Sequence, residues 1–198
     1  ILNQLKMVVI GKYKLFKNAI EKNLTNFLFN YLILKKEATI YLFENNLVPY
    51  EETFGSFRDP QAPNTYSVYS DLAMETLLQE MTKTISKNIN KTILPSYSYA
   101  RLYKKGDELK KHTDRPSCEL SGSINLGGDS WPLFVDGKKF DLKPGDMLIY
   151  SGCDLEHWRE PFKGDICAQV FLHYVFADGK YEHNKFDQRK KLGIPFNY

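Results

Sequence analysis

The stretch from Leu120 to Gly152, LSGSINLGGDSWPLFVDGKKFDLKPGDMLIYSG, decides the fold. It falls into short apolar runs separated by Gly127-Gly128, Asp136-Gly137, Pro144-Gly145 and Ser151-Gly152. Glycine supplies the left-handed backbone of tight turns and proline interrupts strand pairing, so each pair marks a chain reversal. The intervening runs are too short for helices, and their spacing predicts strands over Leu120–Leu126, Pro132–Val135, Lys139–Leu142 and Met147–Tyr150. The texture continues outward, with further strands expected over Tyr97–Tyr103, Glu156–Arg159 and Cys167–Phe176. Many short strands at this spacing predict a double-sheet jelly roll (a double-stranded β-helix) rather than a parallel sheet.

Upstream of about Asn90 the chain is richer in Lys, Asn and Leu, and its apolar residues recur at helical spacing. Phe16, Ile20, Leu24, Phe27, Leu28, Tyr31 and Leu32 predict one amphipathic helix. Leu72, Leu77, Leu78, Met81 and Ile85 predict a second, with Asp71 placed to cap its start. Between them, Phe54 to Asn64 carries Gly55, Pro60 and Pro63 and reads as a long surface loop, a lid or substrate loop by its length. The whole is therefore expected to be α+β. A helical support region and loop over 1–93 packs on one sheet of a jelly-roll core over 94–198, in one integrated domain.

The 198 residues suffice for one sizeable core, and 42% hydrophobic with 26% charged residues is ordinary for a soluble protein. A formal charge of +3 is too small to argue for nucleic acid or membrane binding. No run approaches the roughly 20 apolar residues of a membrane span. Ile1 to Ile10 is apolar but lacks the basic start and cleavage site of a signal peptide. The three cysteines, Cys118, Cys153 and Cys167, form no C-x-x-C pair, which points to reduced thiols and a cytoplasmic location.

The chemistry is carried by Lys111-His112-Thr113-Asp114 and by His157, 43 residues beyond Asp114. Residues two apart on a strand share a face, so His112 and Asp114 can address one centre. A histidine from a later antiparallel strand completes two imidazoles and one carboxylate, a set that suits iron(II) and leaves positions open. The same letters also arise by chance on solvated loops with a core histidine. What separates the two readings is position: the pair stands where the strand series begins and His157 stands near its end.

The surrounding motifs resemble the prolyl 4-hydroxylase branch of the 2-oxoglutarate oxygenases. Ala100-Arg101-Leu102-Tyr103-Lys104-Lys105-Gly106 before His112-Thr113-Asp114 is similar to that family's approach to H-x-D. Leu142 through Tyr150, with Pro144-Gly145, resembles the approach to the distal histidine, although the Pro-Gly pair comes earlier and closer together. His157 through Pro161 and Gly164 resembles the segment that follows. The resemblance spans about Ser96 to Phe176 and says little of the first ninety residues. It implies Fe(II) held by His112, Asp114 and His157, 2-oxoglutarate as cosubstrate, ascorbate as a candidate reductant, and hydroxylation of a prolyl or other amino-acid or peptide substrate. A small molecule or a nucleobase is the alternative substrate. A cupin-like metal-binding protein without oxygenase activity is the alternative class.

One departure matters. The positions nine and ten residues beyond His157, where the family carries a basic anchor for the distal carboxylate of 2-oxoglutarate, are Ile166 and Cys167. A carboxylate needs a cation, best the fork of arginine. Arg159 lies two residues past His157 and shares its face, so it is expected to take that role. A surface arginine paired with Glu156 or Glu160 is the bland alternative. Ser121, Ser123 and Asn125 share one face of their strand, which is either a pocket lining for a dicarboxylate or a half-solvated outer surface. Tyr103 offers a phenol to the same ligand. Arg115 would orient Asp114, meet substrate or lie on the surface. Trp131 and Trp158 read as packing residues and His173 as a structural one.

Overall fold

The computed structural model describes residues 12–195, so the apolar segment Ile1 to Ile10 lies outside the described residues. The strands form two antiparallel sheets, and the strands of the second half alternate between them. The larger sheet has the order β1 (Tyr13–Phe16), β8 (Met147–Tyr150), β5 (Leu120–Gly128), β10 (Ile166–Phe176), β3 (Ile93–Lys104), β2 (Tyr66–Tyr69). The smaller has β4 (Leu109–His112), β9 (His157–Arg159), β6 (Leu133–Val135), β7 (Lys138–Phe140). Two helices, α1 (Lys22–Glu44) and α2 (Leu72–Ile89), cover one face of the larger sheet, and no described helix is long and apolar enough to cross a membrane.

Period two assigns the faces. Ala100, Leu102, Leu120, Ile124, Met147, Ile149, Val170 and Leu172 pack against Leu28 and Leu32 of α1 and Met74, Leu78 and Ile85 of α2. The intervening residues look the other way, toward the smaller sheet. The register β3–β10–β5 sets them in rows: Tyr97, His173, Ser121; then Tyr99, Phe171, Ser123; then Arg101, Gln169, Asn125. The hairpin β6–β7 turns on Asp136 and Gly137, both at positive φ, the geometry that matches strand twist in a two-residue loop.

Three expectations are corrected. Phe16 is not the start of the first helix: Tyr13–Phe16 is a strand paired with Met147–Tyr150, and α1 starts at Lys22. Four residues of Tyr-Lys-Leu-Phe satisfy either period, and pairing with β8 settles the choice. In α2, Asp71 does cap the start, accepting from the Ala73 and Met74 amides, but Leu72 is exposed and Met74 takes its place in the core. β2 and β4 were not anticipated, because each is four residues long and carries no alternation of its own. The first ninety residues thus supply two strands of the larger sheet as well as both helices.

Candidate metal centre

The register of the smaller sheet builds the centre. β4 ends at His112, which lies opposite His157 on β9, and the two ring centroids are 4.2 Å apart. Asp114 lies past the end of β4, so the shared strand face expected for His112 and Asp114 is not what unites them. The Asp114 amide instead donates to the Gly152 carbonyl at 2.8 Å, folding the loop inward. Its Oδ1 comes 3.4 Å from His157 Nε2 and 3.7 Å from His112 Nε2. Gly152 is required here: a Cβ would overlap Asp114 Oδ2, Ser121 Oγ and the Cys118 carbonyl.

Each ring is oriented by its other nitrogen. His112 Nδ1 donates to the Lys110 carbonyl at 2.8 Å and His157 Nδ1 to the Leu155 carbonyl at 2.9 Å. A carbonyl only accepts, so both Nδ1 atoms carry a proton, which leaves both Nε2 atoms, facing Asp114, as the positions that can bind a metal. Burial, then the neighbouring His157, holds the His112 pKa below its ordinary value, which keeps its Nε2 free. Burial opposes ionisation of Asp114, but His157, His173 and Ser121 outweigh it and hold the carboxyl well below the usual carboxylate range. Ser121 Oγ donates to Asp114 Oδ2 at 2.7 Å and, its proton committed, accepts from His173 Nδ1 at 3.0 Å. His173, read as a structural residue, supports Asp114 through Ser121. Burial depresses its pKa to about 4.

One ligand atom each from His112, Asp114 and His157 lies within 4.8 Å of the others. Asp114, Cys118 and His173 also converge within that distance, but His173 Nδ1 is held by Ser121 and Cys118 Sγ meets the Tyr97 hydroxyl at 3.0 Å. Burial pushes the Cys118 thiol up, away from the thiolate a metal requires. The first set fits a divalent metal and the second does not.

The centre opens into a cavity of about 590 Å³ lined by Tyr97, Tyr99, Arg101, Leu133, Tyr150 and Phe171 among others, with Asp59 and Gln61 of the loop across it. Arg159 does not line it. The side chain is 2% exposed, donates to the Trp131 carbonyl and to Gln169 Oε1, and leaves Nε without a partner. Neither Glu156 nor Glu160 pairs with it, and among the described residues no carboxylate does. Tyr103 is fully buried, accepts from Arg101 Nη1 at 3.1 Å and meets Trp131 edge-on. Ser123 Oγ is buried without a partner. Asn125 has both ends of its amide engaged by backbone, at the Leu142 carbonyl and the Gly127 amide. Arg115 turns from Asp114 to a bidentate pair with Asp187 at 2.7 and 2.6 Å. Trp131 packs with Phe162, and Trp158 stacks on Phe134. Tyr97, Tyr99 and Arg101 were missed as a set, although their alternation with Tyr103 stood in the sequence.

No family model matches the sequence, and none of the curated proteins does. Solved structures do. The viral collagen prolyl hydroxylase of Paramecium Bursaria Chlorella virus-1 is 13% identical, with 82% of this chain and 95% of that one covered at a TM-score of 0.55. The prolyl-4-hydroxylase of Pseudomonas putida is 13% identical over 82% and 91%, at 0.54. The non-heme alpha ketoglutarate dependent epimerase SnoN of nogalamycin biosynthesis is 11% identical over 84% and 79%, at 0.61. The chain shares the fold of these oxygenases.

Proposed function

We propose that this protein is an Fe(II)- and 2-oxoglutarate-dependent dioxygenase, its two sheets the halves of a jelly roll, that hydroxylates a prolyl or other amino-acid or peptide substrate. The observation that carries the reading is the convergence of His112, Asp114 and His157, each histidine tied through Nδ1 to a backbone carbonyl, in a fold shared with such enzymes. Iron, when bound, would supply dioxygen activation coupled to oxidative decarboxylation of 2-oxoglutarate.

The chain supplies the rest. Ser121 and the Gly152 carbonyl hold Asp114 in place, so the carboxylate needs no reorganisation to act as a ligand. Arg159 is the anchor for the distal carboxylate of 2-oxoglutarate: a buried cation whose donors are spent on neutral oxygens is poised for an anion. To bind there, the carboxylate takes over donors now given to the Trp131 carbonyl and Gln169. Tyr103 and Ser123 stand on the same interior face to complete its hydrogen bonds, while Asn125 is occupied in holding its strand end. Phe171, Tyr97 and Tyr150 exclude water around the reacting groups. Three free cysteines suit a reducing, cytoplasmic setting.

The test is anaerobic addition of Fe(II) and then 2-oxoglutarate. A weak visible charge-transfer band should appear, and succinate should form when oxygen is admitted. His157→Ala should lose the band, metal binding and succinate together. Metal binding with no band and no succinate would refute the oxygenase reading and leave a cupin-like metal protein. Ascorbate is expected to prolong turnover and to leave the first turnover unchanged.

A further inference from the structure

The interior face carries a second buried arginine whose role the metal centre does not use. Arg101 is 5% exposed, sits in the middle of β3 between Tyr99 and Tyr103 on the cavity face, and lines the cavity. Its carboxylate partner comes from the loop over residues 54–64: Arg101 Nη2 pairs with Asp59 Oδ2 and donates to Gln61 Oε1 at 2.8 Å. The Tyr99 hydroxyl donates to the same Asp59 oxygen at 2.5 Å. Arg101 Nε, buried, has no partner at all.

Asp59 therefore fills a receptor that the sheet builds without it. The receptor is a guanidinium, two tyrosine rings and hydroxyls, and an unfilled N–H, all on one rigid strand. The occupant hangs from Arg58, Pro60 and Gln61, which are exposed, between Phe57 and Ala62, which pack on the core, so its release involves only this short exposed stretch. We propose that Arg101, with Tyr99, is the binding site for a carboxylate of the primary substrate, and that Asp59 holds the site as an internal surrogate which the substrate acid displaces. The inference rests on the oxygenase reading only in naming the ligand a substrate. It narrows that substrate to one that carries a carboxylate, such as a free amino acid, because a prolyl residue inside a peptide chain presents an amide there instead. The cavity volume lies in the range of small-molecule sites.

Zinc-loaded protein saturated with 2-oxoglutarate is titrated by calorimetry with benzoate and with benzamide, its neutral isostere. Asp59→Asn should bind benzoate about ten-fold more tightly than wild type, the scale of a charge-assisted hydrogen bond no longer contested. Benzamide should not distinguish the two. In wild type, benzoate should quicken hydrogen exchange of the Gln61 amide, which now donates to Asp59 Oδ1 at 2.8 Å. Arg101→Gln should lose benzoate binding and keep 2-oxoglutarate affinity, and Arg101→Lys should retain both. Equal benzoate affinity in wild type, Asp59→Asn and Arg101→Gln overturns the proposal and leaves a structural ion pair. Loss of 2-oxoglutarate affinity in Arg101→Gln also overturns it, by making Arg101 part of the cosubstrate site. If wild type itself fails to bind 2-oxoglutarate, the oxygenase reading fails, and the benzoate comparison is still decided on metal-free protein.

Discussion

Replacing Arg159 with Met separates anion anchoring from packing. In the free protein the guanidinium is buried without a carboxylate, its Nη atoms given to the Trp131 carbonyl and Gln169 Oε1, and its Nε without a partner. Burying an unpaired ion costs several kcal/mol, and hydrogen bonds of a charged group to neutral acceptors return about 1.5–3 kcal/mol each. The two contributions nearly cancel, so an apolar side chain of similar length should leave the stability of metal-free protein within about 1 kcal/mol of wild type or raise it. Binding of 2-oxoglutarate should behave differently. Two charge-assisted bonds to a carboxylate amount to about 3–6 kcal/mol, part of it offset by the contacts the ligand displaces. A net loss near 3 kcal/mol weakens the dissociation constant by about 100-fold. Calorimetric titration of 2-oxoglutarate into Mn(II)-loaded protein reads the second quantity, urea denaturation the first, and Mn(II) affinity should not move. A dissociation constant within about three-fold of wild type would refute the anchor. So would a loss of more than about 3 kcal/mol of stability, which would mark Arg159 as a structural residue.

Other perturbations probe the supports around the centre. Gly152→Ala should weaken Co(II) binding by about 10- to 100-fold, because the added methyl displaces Asp114 and Ser121; unchanged affinity would show that the loop yields freely. Buried His173 has its pKa depressed to about 4 against an ordinary 6.5, so the unfolded chain takes up the proton first as pH falls. Its contribution is therefore fully present above about pH 6.5 and is lost between there and pH 4, by about 3 kcal/mol. Metal-free His173→Gln should show a flatter stability profile across that window, and an equal slope in both proteins would contradict it. Asp71→Ala should cost about 2 kcal/mol in urea denaturation, since one oxygen caps α2 and the other receives Tyr31 and Lys35; a loss below about 0.5 kcal/mol would mean that water replaces both.

Much of this was legible locally. The Asp136-Gly137 turn and Asp71 cap are consequences of which φ values and amide donors a given side chain can serve, and neighbouring residues suffice to state them. Helix α2 was readable because eighteen residues repeat the 3.6 period several times. Four-residue strands are not readable this way, which is why Phe16 was assigned to a helix and Tyr66–Tyr69 to nothing. His173 lies on an eleven-residue strand that is buried on both faces except at its ends, so its pattern announces neither face.

By itself the sequence determined that short strands follow helices, and that His112, Asp114 and His157 are a donor set suited to iron. It also determined that the positions nine and ten residues beyond His157 hold Ile166 and Cys167, neither of which can bind a carboxylate, because these are properties of residue type and spacing. Only the tertiary structure decided how these three side chains meet. The β4–β9 register sets His112 against His157, while Asp114 arrives by a loop held on the Gly152 carbonyl rather than by strand alternation. It also decided the fates of the two arginines. Arg101 receives Asp59, 42 residues away, and Arg159 receives no acid among the described residues. Pairings across such distances depend on sheet register and loop path, and local periodicity constrains neither.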